Sequence, residues 1–231
     1  MELSGGIKMN NEMNVKVKSF PVFGDPTPVL TTIFATLCYC FWANTMGFFT
    51  DGAVLAIGVL QLAVFASYTI GGVILLRNGN SFGGNTFMIF ATVFGGIGGA
   101  THVVMTMVGE RGIAFCYQIC GVAFIVAGVY LLCMLPPLRY AAKTDFLAFL
   151  TGGIGVLAYG LTGAGLAPAA LNYVGAWALL IDGLVGFYSV ISAMIGFAGG
   201  KPLPLGKPFF KKPEEKTESA EIVQAALIEE A

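Results

Sequence analysis

AVLAIGVLQLAVFASYTIGGVILL, residues 53–76, runs for 24 residues without a charge. A bilayer core of about 30 Å takes roughly 20 apolar residues of α-helix to cross, so this stretch reads as a transmembrane span. Asp51-Gly52 precedes it and Arg77-Asn78-Gly79-Asn80-Ser81 follows it. Outward from it lie five more runs of the same kind: 29–49, 86–108, 112–135, 146–167 and 174–198. Glu110-Arg111 ends the third run, and Pro136-Pro137 with Arg139 and Lys143 ends the fourth. Pro168 and Asn172 interrupt the last pair. The breaks are too short to hold a soluble domain, so consecutive helices must be antiparallel neighbours. The expected fold class is an all-α membrane protein with six transmembrane helices and short loops.

Composition agrees. Of 231 residues, 56% are hydrophobic, and the 32 glycines bring the apolar share to about 70%, against roughly 45–50% in soluble domains. Only eight charges fall between Pro26 and Gly200: Asp51, Arg77, Glu110, Arg111, Arg139, Lys143, Asp145 and Asp182. So few cannot cover a soluble surface, and such hydrophobicity excludes disorder in the body. The formal net charge of −1 and the lack of a basic stripe argue against a nucleic-acid partner. The expected organisation is a polar tail over 1–24, the membrane domain over 25–200 and a second, exposed polar tail over 201–231, where 218–231 could form a short helix. Residues 1–28 hold no secretory h-region.

Six spans put both termini on one side. That side carries Lys8, Lys16, Lys18, Arg77, Arg139, Lys143, Lys201, Lys207, Lys211, Lys212 and Lys216, and the other carries only Arg111. By the positive-inside rule both termini are expected in the cytoplasm, with the chain in the plasma or inner membrane. The glycines of Gly95-Gly96-Ile97-Gly98-Gly99, and those from Gly152 to Gly165, read as close helix packing. They are also compatible with room for a narrow path.

Chemistry-bearing residues are few. The cysteines Cys38, Cys40, Cys116, Cys120 and Cys133 form no CxxC and read as packing residues. No metal or cofactor is expected. Basic residues stay at helix ends, so a path would offer a buried anion no fixed cation. It would offer neutral groups such as Thr31, Thr32, Thr36, Asn44, Thr86 and Tyr130, which bind small polar solutes. Without a base beside a nucleophile there is no framework for catalysis, and no catalytic residue is expected. His102, the single histidine, reads as a hydrogen-bonded core residue or a proton relay. Asp182, inside the last span, is costly there and by default a functional candidate. A fixed anion would repel a carboxylate, so Asp182 is expected not to carry the substrate but to be able to carry a proton, and to be neutral while substrate passes.

Asp25-Pro26-Thr27-Pro28-Val29-Leu30 resembles the Asn-Pro-Ala-Pro-Leu-Gly-Leu signature of the acetate uptake transporter family, which includes the succinate–acetate permeases. Asn44, Gly47, Phe48 and Asp51-Gly52 are similar to its Asn…Gly-Tyr-Phe…Asp-Gly stretch. Gly79-Asn80-Ser81-Phe82-Gly83 resembles Gly-Asn-Thr-Phe-Gly. Gly175-Ala176-Trp177 with Tyr188, and Leu203-Pro204-Leu205-Gly206, resemble the closing motifs. The resemblance covers roughly residues 25–207. Asp25 stands where the family has Asn, and Val29-Leu30-Thr31 where it has Leu-Gly-Leu. The family's second-span Gln has no clear counterpart, Tyr68 lying nearest, and the fifth span aligns weakly.

The resemblance implies an acetate permease or channel, proton-linked, assembled as a homo-hexamer with one path per protomer. Its constriction is a hydrophobic ring. The first member falls on Phe34, the second on Phe90, and the third on or beside Leu150 or Thr151. Substrate-binding candidates are Asp25, Pro26, Pro28, Thr32, Asn44, Asn80, Asn85 and Thr86, and candidate proton sites are Asp182 and His102. A ring of this kind gates by dewetting. The segment 25–28 is expected to be extended, since a residue before proline avoids the helical region, with Pro28 in the first helical turn. Gly83-Gly84-Asn85-Thr86 is expected to open the third span with unpaired amides that attract a carboxylate. The alternative is a non-transporting membrane scaffold, or a sensor of the same substrate.

Overall fold

The computed structural model describes residues 23–109, 111–112 and 114–211. The N-terminal tail up to residue 22 and the helix expected over 218–231 lie outside the described residues. Six long helices follow one another: α1 (Thr27–Thr45), α2 (Ala53–Arg77), α3 (Ser81–Gly109), α4 (Gln118–Leu138, broken once at Met134), α5 (Lys143–Gly163) and α6 (Leu171–Phe197). No strand occurs among the described residues.

Five helices, α2 to α6, are long and apolar enough to cross a membrane by length and composition. Helix α1 has 19 residues, but Thr27, Thr31, Thr32, Thr36, Asn44 and Thr45 dilute its apolar content and leave it outside that set.

The helix starts differ from the sequence expectation in two places. The segment 25–28 is not extended: Pro26 is in the right-handed helical region and the helix begins at Thr27. Asp25 Oδ1 accepts from the Thr27 amide at 2.9 Å and from its hydroxyl at 2.6 Å. That Asx-type cap outweighs the bias a following proline imposes, and a proline in the first turn has no N–H to lose. The fourth helix starts at Gln118, not at residue 112. Gly112 has a φ of +67°, a left-handed conformation that breaks the helix while leaving the run apolar.

Glycines set how closely the helices approach. On the α4–α5 seam a Cβ at Gly128 would lie 2.6 Å from the backbone nitrogen of Leu157, and one at Gly160 would lie 2.5 Å from that of Ile125. On the α2–α3 seam a Cβ at Gly95 would lie 2.7 Å from Phe65 Cα, and one at Gly99 2.7 Å from the Leu62 nitrogen. In lipid, association rests on such backbone contact, because apolar side chains gain nothing by leaving apolar solvent. Helices α1 and α5 both pack on α6, and α4 packs on α5. The core between them holds Leu30, Val64, Tyr68, Phe90, Phe94, Phe124, Leu131 and Leu179.

Helix α3 is not uniform. Its middle, Ala91–Gly98, is π-helical and directly follows Phe90. Such segments are rare and concentrate at functional sites.

Past α6 the chain turns back, so the segment read as a free tail starts as a strap. Ser192 Oγ donates to the Leu203 carbonyl and Tyr188 Oη to that of Pro204, both at 3.0 Å. The Thr144 amide donates to the Leu205 carbonyl at 3.2 Å, and the amides of Phe209 and Phe210 reach the Arg139 carbonyl. Phe209 packs edge-on against Phe146, with ring centroids 5.1 Å apart.

Candidate functional site

Helical period explains which face of each helix looks inward. On α1 the residues Thr27, Thr31, Phe34, Cys38 and Phe41 recur every three or four positions and form one stripe. On α6 the stripe is Asp182, Gly186 and Ser189. With the start of α3 and the α4–α5 turn, these stripes enclose a cavity of about 390 Å³ at the end where α1 begins. At the opposite end lies a second cavity of about 290 Å³, bordered by Phe41, His102, Phe124, Tyr159 and Asn172 among others.

Between the two the interior closes. The remaining space is about 20 Å³, room for roughly one water. Phe34, Leu37, Phe41, Phe94, Phe124, Val156 and Leu179 crowd it. Phe34 borders both this plug and the first cavity, while Phe41, Phe124 and Tyr159 border both the plug and the second. The three spaces therefore lie in tandem.

The plug is an aromatic column. Phe34 stacks on Phe90 with centroids 5.3 Å apart and planes inclined by 16°. Phe90 meets Phe94 at 4.9 Å, and Phe94 meets Phe124 edge-on at 5.3 Å. Aromatic pairs at these separations hold one another in place beyond their area burial.

The structure brings together part of the candidate set. Phe34, Phe90, Asn80, Thr86 and Asp182 all border the first cavity. Thr86 is anchored there, its hydroxyl bonding the Phe82 carbonyl at 2.9 Å and the Tyr130 hydroxyl at 2.7 Å. His102 borders the second cavity instead. Asp25, Pro26, Pro28, Thr32, Asn44, Asn85 and Leu150 border none of the three spaces. Asp25 caps α1, the Thr32 hydroxyl bonds its own helix at Pro28, and Asn85 is exposed and bonds Ser81. From α5, Thr144, Asp145, Ala148 and Phe149 border the first cavity, and Val156 and Tyr159 border the plug. Thr151 is buried, with its hydroxyl on the Leu147 carbonyl.

The unpaired amides expected at Gly83 and Gly84 are not there. Helix α3 starts earlier, at Ser81, and Asn80 caps it: Oδ1 accepts from the Gly83 amide at 2.8 Å and its carbonyl from Gly84 at 2.9 Å. Asn80 is a strong N-cap residue, and that capping moves the start upstream.

Two buried polar groups stand out. Gln61 on α2 is wholly buried and was not singled out in the sequence. Its Oε1 lies 2.6 Å from His102 Nδ1, which therefore carries the donated proton and turns Nε2 away from Gln61. Gly98, in the π-helical stretch, leaves space for the other end of that amide. Asp182 is 2% exposed, and its Oδ2 has no hydrogen-bond partner among the described residues. Tyr68, the nearest counterpart of the family's Gln, does not border the cavity; it packs behind Phe90 with centroids 6.4 Å apart.

Sequence reading also passed over Phe41, Phe94, Phe124 and Val156, whereas Thr31, one of the neutral groups named for a path, does border the first cavity. The signal for Phe41 was present, since it lies at helical spacing from Phe34. The others come from three different helices and meet only in the folded bundle.

No family model and no curated protein sequence matches this chain. A solved structure does. The chain superposes on the bacterial acetate channel SatP with a TM-score of 0.65 at 21% identity, covering 80% of this chain and 99% of that one. At that identity the likeness shows the fold, and the chain shares the fold of that acetate channel.

Proposed function

We propose that the protein is a multi-pass permease or channel of the cell membrane for acetate and similar small carboxylates, succinate among them. The single observation that carries this reading is the tandem arrangement: two cavities of about 290 and 390 Å³ at opposite ends of one bundle, separated by an apolar plug of about 20 Å³. The fold shared with the acetate channel SatP supports it. In this reading α1 crosses the membrane with the other five helices, both termini lie in the cytoplasm, and each protomer of a homo-hexamer has its own path.

The plug is the gate. Water leaves a narrow aromatic neck readily, and a solute passes when the neck widens. Phe34 and Phe90 face each other at its edge. The cavities hold hydroxyls and amides for the polar end of a solute, and the aromatic neck accommodates a methyl. Passage is linked to protons, with Asp182 and His102 as the groups able to carry one.

Purified protein in proteoliposomes tests this. Labelled acetate should enter faster than into empty liposomes, and an imposed pH gradient, acid outside, should drive accumulation. Flux equal to that of empty liposomes, from correctly assembled protein, would establish the alternative, a scaffold or sensor.

A further inference from the structure

Asp182 lies deeper than a proton relay on a vestibule wall would need to. Gly152 on α5 makes its room, because a Cβ there would overlap Oδ2. The side chain borders the larger cavity next to Thr31, Phe34, Gly186 and Ser189. Among the described residues, no Lys, Arg or His borders that cavity. The titratable groups facing Asp182 are Cys38 on α1 and Tyr68 on α2, with Asp145 of α5 on the same cavity wall. None of these supplies a positive charge.

An unpaired carboxylate at such a place is strongly disfavoured, whereas an undissociated carboxyl has an O–H to give. A carboxylate entering the same cavity has the opposite want: acceptor oxygens and no cation to meet them. One proton satisfies both. We propose that Asp182, as the undissociated acid, contacts the substrate directly, donating a hydrogen bond to a small monocarboxylate held between it and Phe34, so that the cavity takes up monocarboxylate and proton together. An O–H···O⁻ bond of this kind is among the short, strong ones. The proton comes from the solution at that mouth, and no covalent bond is made or broken beyond that O–H. This rests on the transport reading above and adds to it a substrate contact on one named side chain.

Acetate affinity, measured by titration calorimetry on the full-length protein in detergent, tests the inference. The range from about pH 6 to about pH 9 keeps acetate itself an anion throughout. Wild-type affinity should hold while Asp182 stays undissociated and fall, by up to about tenfold per pH unit, wherever it ionises. Asp182→Asn keeps the shape and an N–H donor but cannot titrate, so it should bind acetate without that slope. Asp182→Leu keeps the volume and loses the donor, and should bind roughly tenfold more weakly than wild type at the acid end of the range. Both variants are first checked for wild-type elution on gel filtration. A wild-type affinity that rises with pH, a wild-type fall with pH repeated in Asp182→Asn, or wild-type affinity in Asp182→Leu at the acid end of the range overturns the inference and leaves the transport reading standing. A wild type that neither binds nor passes acetate overturns both.

Discussion

Phe34 and Phe90 stack face to face at the edge of the plug, so each ring keeps the other from swinging aside. Removing one ring opens the neck without touching the polar walls. Phe34→Ala should therefore raise the passage of carboxylates larger than acetate by about tenfold, the equivalent of roughly 1.4 kcal/mol off the barrier. Uptake of labelled acetate and of longer-chain acids into proteoliposomes, compared in one preparation, checks this, and Phe90→Ala should act in the same direction. Unchanged size selectivity in both folded variants would remove the two residues from the gate. These two positions came from the family resemblance, counted from Asp25-Pro26-Thr27-Pro28 and from Gly79-Asn80-Ser81-Phe82-Gly83; the residues alone read as ordinary core or lipid-facing aromatics. Gln61 was not legible in the sequence. Nothing local distinguishes it within an apolar run, and its meaning arises only when α3 sets His102 against it. The pairing of Gly152 with Asp182 was hidden for the same reason: a glycine's vacancy has significance only once the neighbour that fills it is known.

Helices are positioned by their smallest residues. On the α4–α5 seam, Gly128 and Gly160 let each backbone lie against the other. Gly128→Leu would push a branched side chain into the Leu157 backbone, which cannot retreat as a flexible side chain would. The expected cost is about 2–3 kcal/mol, read as a fall of roughly 5–10 °C in the thermal midpoint of the detergent-solubilised protein. Gly109→Ala is the control, since nothing lies within 4 Å of a Cβ there, and it should leave the midpoint unchanged. At this scale the sequence was informative about where apolar runs lie and less so about where helices begin. Hydropathy cannot see the left-handed turn at Gly112, where the fourth apolar run opens well before its helix starts at Gln118. Nor can it register that Asn80 and Asp25 start their helices early, because capping is hydrogen-bond chemistry and not burial. The π-helical stretch of α3 also has no counterpart in a periodicity of 3.6.

By the sequence count, eleven basic residues are expected on one side of the membrane and one on the other. A single cysteine placed among residues 1–22 or 212–231, in a background without the five native ones, should resist an impermeant thiol reagent in intact cells and react after permeabilisation. Labelling of both tails from outside would invert the proposed orientation. The chain after α6 is bound down: Leu203, Pro204 and Leu205 accept hydrogen bonds from Ser192, Tyr188 and Thr144, and Phe209 and Phe210 meet Arg139. Thr144 borders the larger cavity, so this strap is fastened to the rim of the mouth. For the gene, that divides the codons that follow α6 into two parts of unequal consequence. A stop codon just after Lys211 keeps each of these contacts, whereas one just before Leu203 spares α1 to α6 yet releases the rim, so a short truncation that looks harmless on a hydropathy plot is a lesion at the rim of the cavity.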